Sequence, residues 1–503
     1  MKIATSKLIK EIDAYAENTL GIPTHKLMKR AGEAVADSVL RVNREKGAVL
    51  VLSGGGNNGG DGYAAALELY PLCEVRVIDL FSKGQRSEAG KHFLSECEKL
   101  GIVSRGFDKA YEFLEKSTVI VDAIFGIGYS GEPRDELSSL STAIASLGKR
   151  VVAVDIPLGI IADTGEVCRG AMKADITVAL SGYKPAHLSY PARGYMGEVC
   201  LYDLGLSKEI AEFPSFGKYI AADFDFAKDA LPKRGALTNK GSYGHTLHIT
   251  GSDKYVGAAM LSLEASLRSG IGLVSHLGER ELQRELRARF PEVIYTDMRE
   301  LHLPSDIIEY SRKYSSILVG PGSSVSEKLF LLIKALVESD GAPLIIDADG
   351  LNSISEFSDA ELFKAARRTV IITPHPREMS RLSGESTEYI NAHRLPFAES
   401  FAKQYGVVLL LKGAATVITD GDKTIINTTG SSALAKGGSG DVLAGIISSL
   451  VPNVPSPLFA TALGAYLHGR AADALSGELS EFGVTPSDLP LAVAKEINAI
   501  IKP

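Results

Sequence analysis

Apolar residues along this chain gather in short, nearly unbroken runs. Five lie in the first part: "GAVLVLSGGG" (47–56), "EVRVIDL" (74–80), "STVIVDAIFG" (117–126), "RVVAVDIPLG" (150–159) and "ADITVAL" (174–180). A strand with one wet face alternates, whereas a strand that is apolar throughout is covered on both faces and suits a parallel sheet. Helix-like segments separate most of these runs, so the pattern predicts an α/β fold with a doubly wound sheet.

From about Phe213 the pattern loosens into "EFPSFGKYIAADFDFAKDALPKRGALTNKGSYG", rich in Pro, Gly and mixed charge, which places a domain junction near 207–235. Alternation then resumes with "HTLHITGS" (245–252), "SILVGPGSS" (316–324), "PLIIDADGLN" (343–352), "TVIITPHPRE" (369–378) and "VVLLLKGAATVITD" (407–420), each read as a strand of a second α/β domain. The expected domains are 1–212 and 225–503, with no repeat of motif order between them. A length of 503 residues agrees with more than one core.

Net charge is −7, so the surface as a whole does not attract nucleic acid or anionic lipid, and any phosphate site must be local. The four cysteines, Cys73, Cys97, Cys168 and Cys200, form no CxxC pair and read as free thiols. The N-terminal stretch lacks the apolar core of a signal peptide, and no apolar run is long enough to cross a membrane. The expectation is a cytoplasmic enzyme.

Candidate chemistry begins at "SGGGNNGGDGYAAALEL" (53–69), a glycine turn between a strand and a helix. Glycine lets the backbone approach a ligand closely, and a helix N-terminus presents unpaired amides to a phosphate. Asn57, Asn58 and Asp61 at this turn add side-chain oxygens suited to a hard cation or to ribose hydroxyls. Asp122 and Asp155 end two other strands, and in open parallel sheets ligands bind beyond the carboxyl ends of strands. Asn58, Asp122 and Asp155 therefore converge on one crevice.

"GGGNNGGDGYAAA", "DAIFGIGYSG", "DIPLGIIADTG" and "KPAHL" resemble the NAD(P)H-hydrate epimerase family over roughly residues 1–210. The resemblance implies a Rossmann-like sheet, a potassium ion and interconversion of the R and S forms of hydrated NADH or NADPH (NADHX and NADPHX), which carry a hydroxyl at C6 of the nicotinamide ring. It implies that Asn57, Asn58, Gly59, Gly60 and Asp61, with Gly126, Ile127, Gly128, Tyr129, Ser130, Gly131 and Glu132, line the hydrate site. Asn58 and Asp122 would ligate potassium, and Asp155 would act as acid and base at the C6 carbon–oxygen bond. The family reads DIPSG where this chain has Leu158, whose side chain brings no ligand oxygen. Lys184 in "GYKPAH" either contacts phosphate, positions Asp155 or is a solvated surface lysine.

The second half, about 225–500, resembles the ADP- or ATP-dependent NAD(P)H-hydrate dehydratases, with a ribokinase-like fold. "KGSYGHTLHITGSDKYVGAAMLSLEASLRSGIGLV", "GPGSS", "DADGLN", "TPHPREMSRL", "LLKGAATVI" and "GGSGDVLAG" occur in the family's order. By resemblance, Ala258, Gly322 and His375 contact the hydrate, and Lys412, Gly413, Ala414, Ala415, Thr416 and Gly440 hold ADP. Asp347 in "DADGLN" either positions Mg²⁺ or merely ends a strand. In "GGSGD" the amides from Gly437 to Gly440 and the positive end of the following helix suit a phosphoryl group in flight. Asp441 then accepts the proton of the attacking hydroxyl. Phosphorylation converts the C6 hydroxyl into a good leaving group; the ring nitrogen expels it, and loss of the C5 proton restores NAD(P)H.

The resemblance also implies a homo-oligomer acting on small molecules, with K⁺ in one domain and Mg²⁺ and ADP in the other. Two rival readings stay open: a ribokinase-like kinase for a vitamin precursor, and a dehydratase whose first domain is a non-catalytic scaffold. The second half taken alone permits the kinase, and Leu158 keeps the scaffold reading open; Ser431, standing where the family carries Asn, bears on donor preference.

Overall fold

The structure, a computed structural model, describes residues 2–81, 86–206, 217–301 and 304–502. The chain divides into two compact units, Lys2–Tyr219 and Ile220–Pro503. Part of the expected junction, 207–216, lies outside the described residues.

In the first unit all sheet neighbours are parallel. The strand order is Val103–Arg105, Val75–Asp79, Val49–Ser53, Val119–Ala123, Arg150–Val154, Ile176–Leu180, Glu198–Tyr202. Val49–Ser53 is buried along its whole length: Val49 and Val51 enter one core cluster, Leu50 and Leu52 the cluster on the other face. That two-sided burial is why the run shows no polar alternation. Strand order reverses between Val49–Ser53 and Val119–Ala123, and this switch opens a crevice at their carboxyl ends. In register there, Leu52 pairs with Asp122 and Ser53 with Ala123.

The sheet of the second unit runs Tyr219–Ala222, Thr424–Asn427, Val417–Thr419, Val408–Leu411, Val370–Ile372, Leu344–Ile346, Ser316–Val319, His245–Ile249, Leu273–Gly278, Ile294–Asp297. Pairs from Val408–Leu411 to Ile294–Asp297 are parallel. The stretch 407–420, expected as one strand, is a hairpin: Val408–Leu411 and Val417–Thr419 pair antiparallel. Gly413 at φ +144° and Ala415 at φ +49° reverse the chain between them, and both arms are apolar, so the turn is hidden in a continuous hydrophobic run. Helices Ser439–Leu450 and Pro457–Gly483 pack into a large apolar cluster of this unit.

The four cysteines are unpaired. Among the described residues no helix is long and apolar enough to cross a membrane.

Candidate active sites

In the first unit a cavity of about 690 Å³ opens at the carboxyl ends of the strands. Asn57 and Asn58 from the first turn of helix Asn57–Leu69 and Asp61 one turn on line it, as do Gly126, Ile127, Gly128, Tyr129 and Ser130 and, beyond the next strands of the sheet, Asp155 and Lys184. Gly59 and Gly60 are buried behind that surface. Their neighbours explain the glycines: a Cβ on Gly54 would stand 1.8 Å from the carbonyl oxygen of Ile124, and one on Gly59 2.1 Å from that of Gly54. Part of the glycine signal is thus close packing of turn on turn. Gly131 and Glu132 are not among the lining residues; the carbonyl of Gly131 takes the Cys168 thiol, and Glu132 accepts the N–H of Arg169 at 2.9 Å. The buried hydroxyl of Tyr129 has no hydrogen-bond partner among the described residues, which fits a wall that meets a polar ligand.

Asp155 follows strand Arg150–Val154 at φ +61°, a conformation held by contacts on every side. Its N–H donates to Val178 O at 2.9 Å, and its carbonyl meets His187 Nε2 at 2.7 Å. Oδ1 accepts from Lys184 Nζ and from Leu180 N. Lys184 is the residue that sequence left open between a surface and a positioning role; it is fully buried, and its Nζ also donates to Leu180 O at 2.6 Å. His187 Nδ1 accepts the N–H of Lys184, and burial first, then Lys184, lowers this histidine to about 4, so it stays neutral. Asp61 is driven well above the usual carboxyl range by burial and then by Asp155 and Asp13.

Below this cavity Asp122 is fully buried. Its Oδ2 accepts Leu158 N at 2.7 Å and its Oδ1 accepts Ile124 N at 3.2 Å. Burial outweighs these bonds and pushes it to about 6. Asn58 Nδ2 donates to Phe125 O at 2.9 Å, and Asn58 Oδ1 faces Gly126. Leu158 is fully buried, and its carbonyl accepts Met172 N at 2.9 Å. Of the three positions that the resemblance implies for potassium, Asn58 and Asp122 bring a side-chain oxygen and Leu158 brings none.

In the second unit Lys412 follows strand Val408–Leu411, and its Nζ lies 2.8 Å from Asp347 Oδ1 and 4.0 Å from Glu378 Oε2. The loop after it is braced by Arg394, which donates to the carbonyls of Leu411 and Lys412 at 3.0 Å, and by Thr416 Oγ1, which donates to Gly413 O at 2.9 Å. Ala414 and Gly413 are exposed. Helix Ser439–Leu450 starts opposite, with Gly438 as its cap at φ +104°. A Cβ on Gly440 would stand 3.3 Å from Lys412 Nζ and 3.8 Å from Asp347 Oδ2, so the first helical turn, the ammonium and the carboxylate share one space. The first-turn amides of such a helix lack partners one turn back. An open cradle bounded by a lysine and a helix N-terminus fits a nucleotide phosphate.

Asp441, in that first turn, is raised to about 7, first by burial, then by Asp347, with Lys412 opposing. It is thus poised between acid and base near neutrality. Among the described residues no three-carboxylate cluster preforms a metal cage. Asp347, Asp349 and Glu378 all act through space on Asp441, and Asp347 acts on Glu378 as well. Such oxygen donors suit Mg²⁺, which is usually held by one or two carboxylates together with substrate phosphates and water.

His375 caps helix Pro376–Ser383: its Nδ1 accepts from Arg377 N and Glu378 N at 3.1 and 3.2 Å, while Glu378 Oε2 accepts His375 N. Ala258 and Gly322 meet directly, since a Cβ on Gly322 would lie 2.7 Å from that of Ala258. Next to them, Ser324 N donates to Asp349 Oδ2 at 2.9 Å, and a cavity of about 410 Å³ runs along Thr250–Lys254, Gly278 and Ser323–Ser324. Glu378, Asp349 and Asp13 went unnoticed in the sequence. Glu378 had a signal, the spacing His-Pro-x-Glu of a capping box; Asp13 had none beyond lying in a helical pattern.

Two α/β units, one with carboxylates gathered around a buried lysine, the other with a carboxylate on a glycine-capped helix, define a two-site enzyme whose second site suits phosphoryl transfer. Residues 24–186 match the family of the YjeF-related protein N-terminus, and residues 246–495 match the NAD(P)H-hydrate dehydratase family. The chain is 32% identical to the bifunctional NAD(P)H-hydrate repair enzyme of Thermofilum pendens, over 99% of this chain and 97% of that one. It is 32% identical to the enzyme of that name from Escherichia coli, over 97% and 93%. Among solved structures, the ADP/ATP-dependent NAD(P)H-hydrate dehydratase of Bacillus subtilis, co-crystallised with ATP/Mg²⁺, aligns with 28% identity and a TM-score of 0.51, covering 56% of this chain and 98% of that one. The chain belongs to the family of bifunctional NAD(P)H-hydrate repair enzymes.

Proposed function

We propose that the first unit epimerises R- and S-NAD(P)HX and that the second converts S-NAD(P)HX to NAD(P)H at the expense of ADP. The reading is carried by one observation: Asp441, a carboxyl raised to about 7, shares the glycine-capped helix turn with the Lys412–Asp347 pair. Asp441 takes the proton of the C6 hydroxyl as it attacks the terminal phosphate. The amides at Gly440 and the ammonium of Lys412 receive the charge that develops on the phosphoryl oxygens. Mg²⁺, when bound with the nucleotide, neutralises phosphate charge. Lys412, Gly413, Ala414, Ala415, Thr416 and Gly440 hold the nucleotide, and Ala258, Gly322 and His375 face the hydrate. The complete Asp155–Lys184–His187 arrangement favours a catalytic first unit over a scaffold. The protein works as a homo-oligomer in the cytoplasm on small-molecule substrates.

The test supplies NADHX, ADP and Mg²⁺ and follows the NADH absorption band. Return of the band together with release of phosphate is the expected result. A flat signal, with phosphate transferred instead to a vitamin precursor, would make this a plain kinase.

A further inference from the structure

Epimerisation at C6 is a two-faced reaction. The hydroxyl leaves from one face of the ring and water returns on the other, so protons must be handled on both sides. Asp155 is one such group. Its Oδ1 is taken by Lys184 and Leu180 N, while Oδ2 takes no hydrogen bond from a described residue.

A second carboxyl reaches the same cavity from helix Ser6–Asn18. Ile9, Lys10, Asp13, Ala14 and Glu17 form the cavity face of that helix, at spacings that put them on one side. Leu8, Ile9, Ile12 and Ala16 anchor the helix in a core cluster. Its N-terminus is tied to the segment after Asp155, because Ser6 N and Oγ both donate to Asp163 Oδ1, at 2.6 and 2.9 Å. The helix is thus tethered to the segment that follows Asp155. It precedes residue 24, where the family match begins.

The charged groups that line the cavity with Asp13 are Lys10 and Glu17 on its own helix, Asp61 on helix Asn57–Leu69, and Asp155 and Lys184, and of these Asp61, Asp155 and Lys184 interact with it through space. Three carboxyls share one buried ammonium, which is already committed to Asp155. Asp13 is exposed on the cavity side; the protein around it still raises its carboxyl to about 6, with Lys184 opposing and Asp155 reinforcing.

We propose that Asp13 is the second acid–base residue of the epimerase site, partner to Asp155. The proposal rests on the epimerase reading above. In one direction the Asp13 carboxyl gives its proton to the C6 hydroxyl. The C6–O bond breaks, water departs, and the N1 lone pair becomes the second bond of an N1=C6 iminium. Water then forms a C6–O bond on the opposite face, the iminium pair returns to N1, and the excess proton of that water passes to Asp155 Oδ2. One water leaves and one enters; a proton has moved from Asp13 to Asp155 and returns through solvent. The reverse epimerisation uses the two groups in exchanged roles.

The experiment uses the full chain carrying Asp13→Asn or Asp13→Glu. R/S interconversion of NADHX is followed by chromatography in heavy-oxygen water, alongside ADP-dependent dehydration and thermal unfolding. Asp13→Asn is expected to slow interconversion and label uptake by about 100-fold or more, the scale of a lost acid–base group. Dehydration and unfolding should not change. With Asp13 as donor, the unsubstituted rate declines as pH rises past about 6; Asp13→Glu keeps that basic limb and Asp13→Asn abolishes it. Interconversion that survives Asp13→Asn at the unsubstituted rate overturns this proposal alone. Absence of interconversion in the unsubstituted chain overturns the epimerase reading and the proposal with it.

Discussion

The ammonium of Lys412 rests 2.8 Å from Asp347 Oδ1, beside the space that a side chain on Gly440 would fill. A cation held there chiefly by Asp347, with Glu378 at 4.0 Å, is placed to meet phosphate and offsets only part of the elevation of Asp441. This sets a pH dependence. Asp441 is protonated below about 7 and ionised above it, and only the ionised form accepts the hydroxyl proton. Dehydration should therefore rise with pH through about 7 and then level. Asp347 is a cause of that elevation, so Asp347→Asn should move the rising limb to lower pH even as it reduces turnover. A limb that stays in place would separate Asp441 from Asp347.

Asp441→Asn keeps the shape and removes the base. ADP-dependent repair should fall by roughly 10²–10⁴-fold, the usual worth of a positioned acid–base group. ADP affinity, measured by titration calorimetry, should be kept or improved, since a negative charge near phosphate is gone. Turnover unchanged in this variant would remove Asp441 from the chemistry.

What was legible in the sequence was the set of turns where strands end. Asp122, Asp155 and Asp441 could be placed because each follows a strand-like run or opens a helix-like one. Lys184 could not, because burial of a charged side chain depends on partners that come from elsewhere: Asp155, Leu180 and the helix around His187. Asp13 lay in an amphipathic helix with no local sign that its polar face would be turned to a cavity rather than to water. The hairpin at 408–419 was read as one strand because its two arms share one hydrophobic pattern. The glycines after Ser53 were read as ligand-facing, although Gly54 and Gly59 are required by the carbonyls they approach.

Two neighbouring glycines should separate folding from binding. Gly438 has φ +104°, and a Cβ there would stand 2.6 Å from Leu261 Cδ1. Gly438→Ala should cost about 1–3 kcal/mol of stability through backbone strain and displacement of Leu261. Gly440 has helical backbone, and its Cβ would enter the space beside Lys412 Nζ at 3.3 Å. Gly440→Ala should hold or raise the unfolding temperature, since alanine is the better helix residue by about 0.5–1 kcal/mol, while weakening ADP binding. Equal losses in both variants would mean that the turn is structural only.

The Lys184–Asp155 pair is buried, so breaking one side leaves an uncompensated charge. Lys184→Met should cost about 3–5 kcal/mol in urea unfolding, and the double variant Lys184→Met with Asp155→Asn should recover much of it. Epimerisation should be lost in both. Additive costs in the double variant would show that the two side chains do not act on each other.

Leu158 bears on potassium. It stands where the resemblance implies a serine, and its N–H already occupies Asp122 Oδ2; of the three implied positions, Asn58 and Asp122 bring a side-chain oxygen and Leu158 brings none. The unsubstituted chain should show nearly the same epimerase rate and the same unfolding temperature in potassium and choline chloride. Leu158→Ser removes a fully buried side chain and should cost about 2–5 kcal/mol, as large-to-small core changes do. If the lost ligand is what limits the site, potassium should return part of that stability, and choline should not, because an ion bound only by the folded state stabilises it. The rate should become potassium-responsive in parallel. Strong potassium stabilisation of the unsubstituted chain would show instead that backbone carbonyls complete the site and that the leucine is neutral toward the ion.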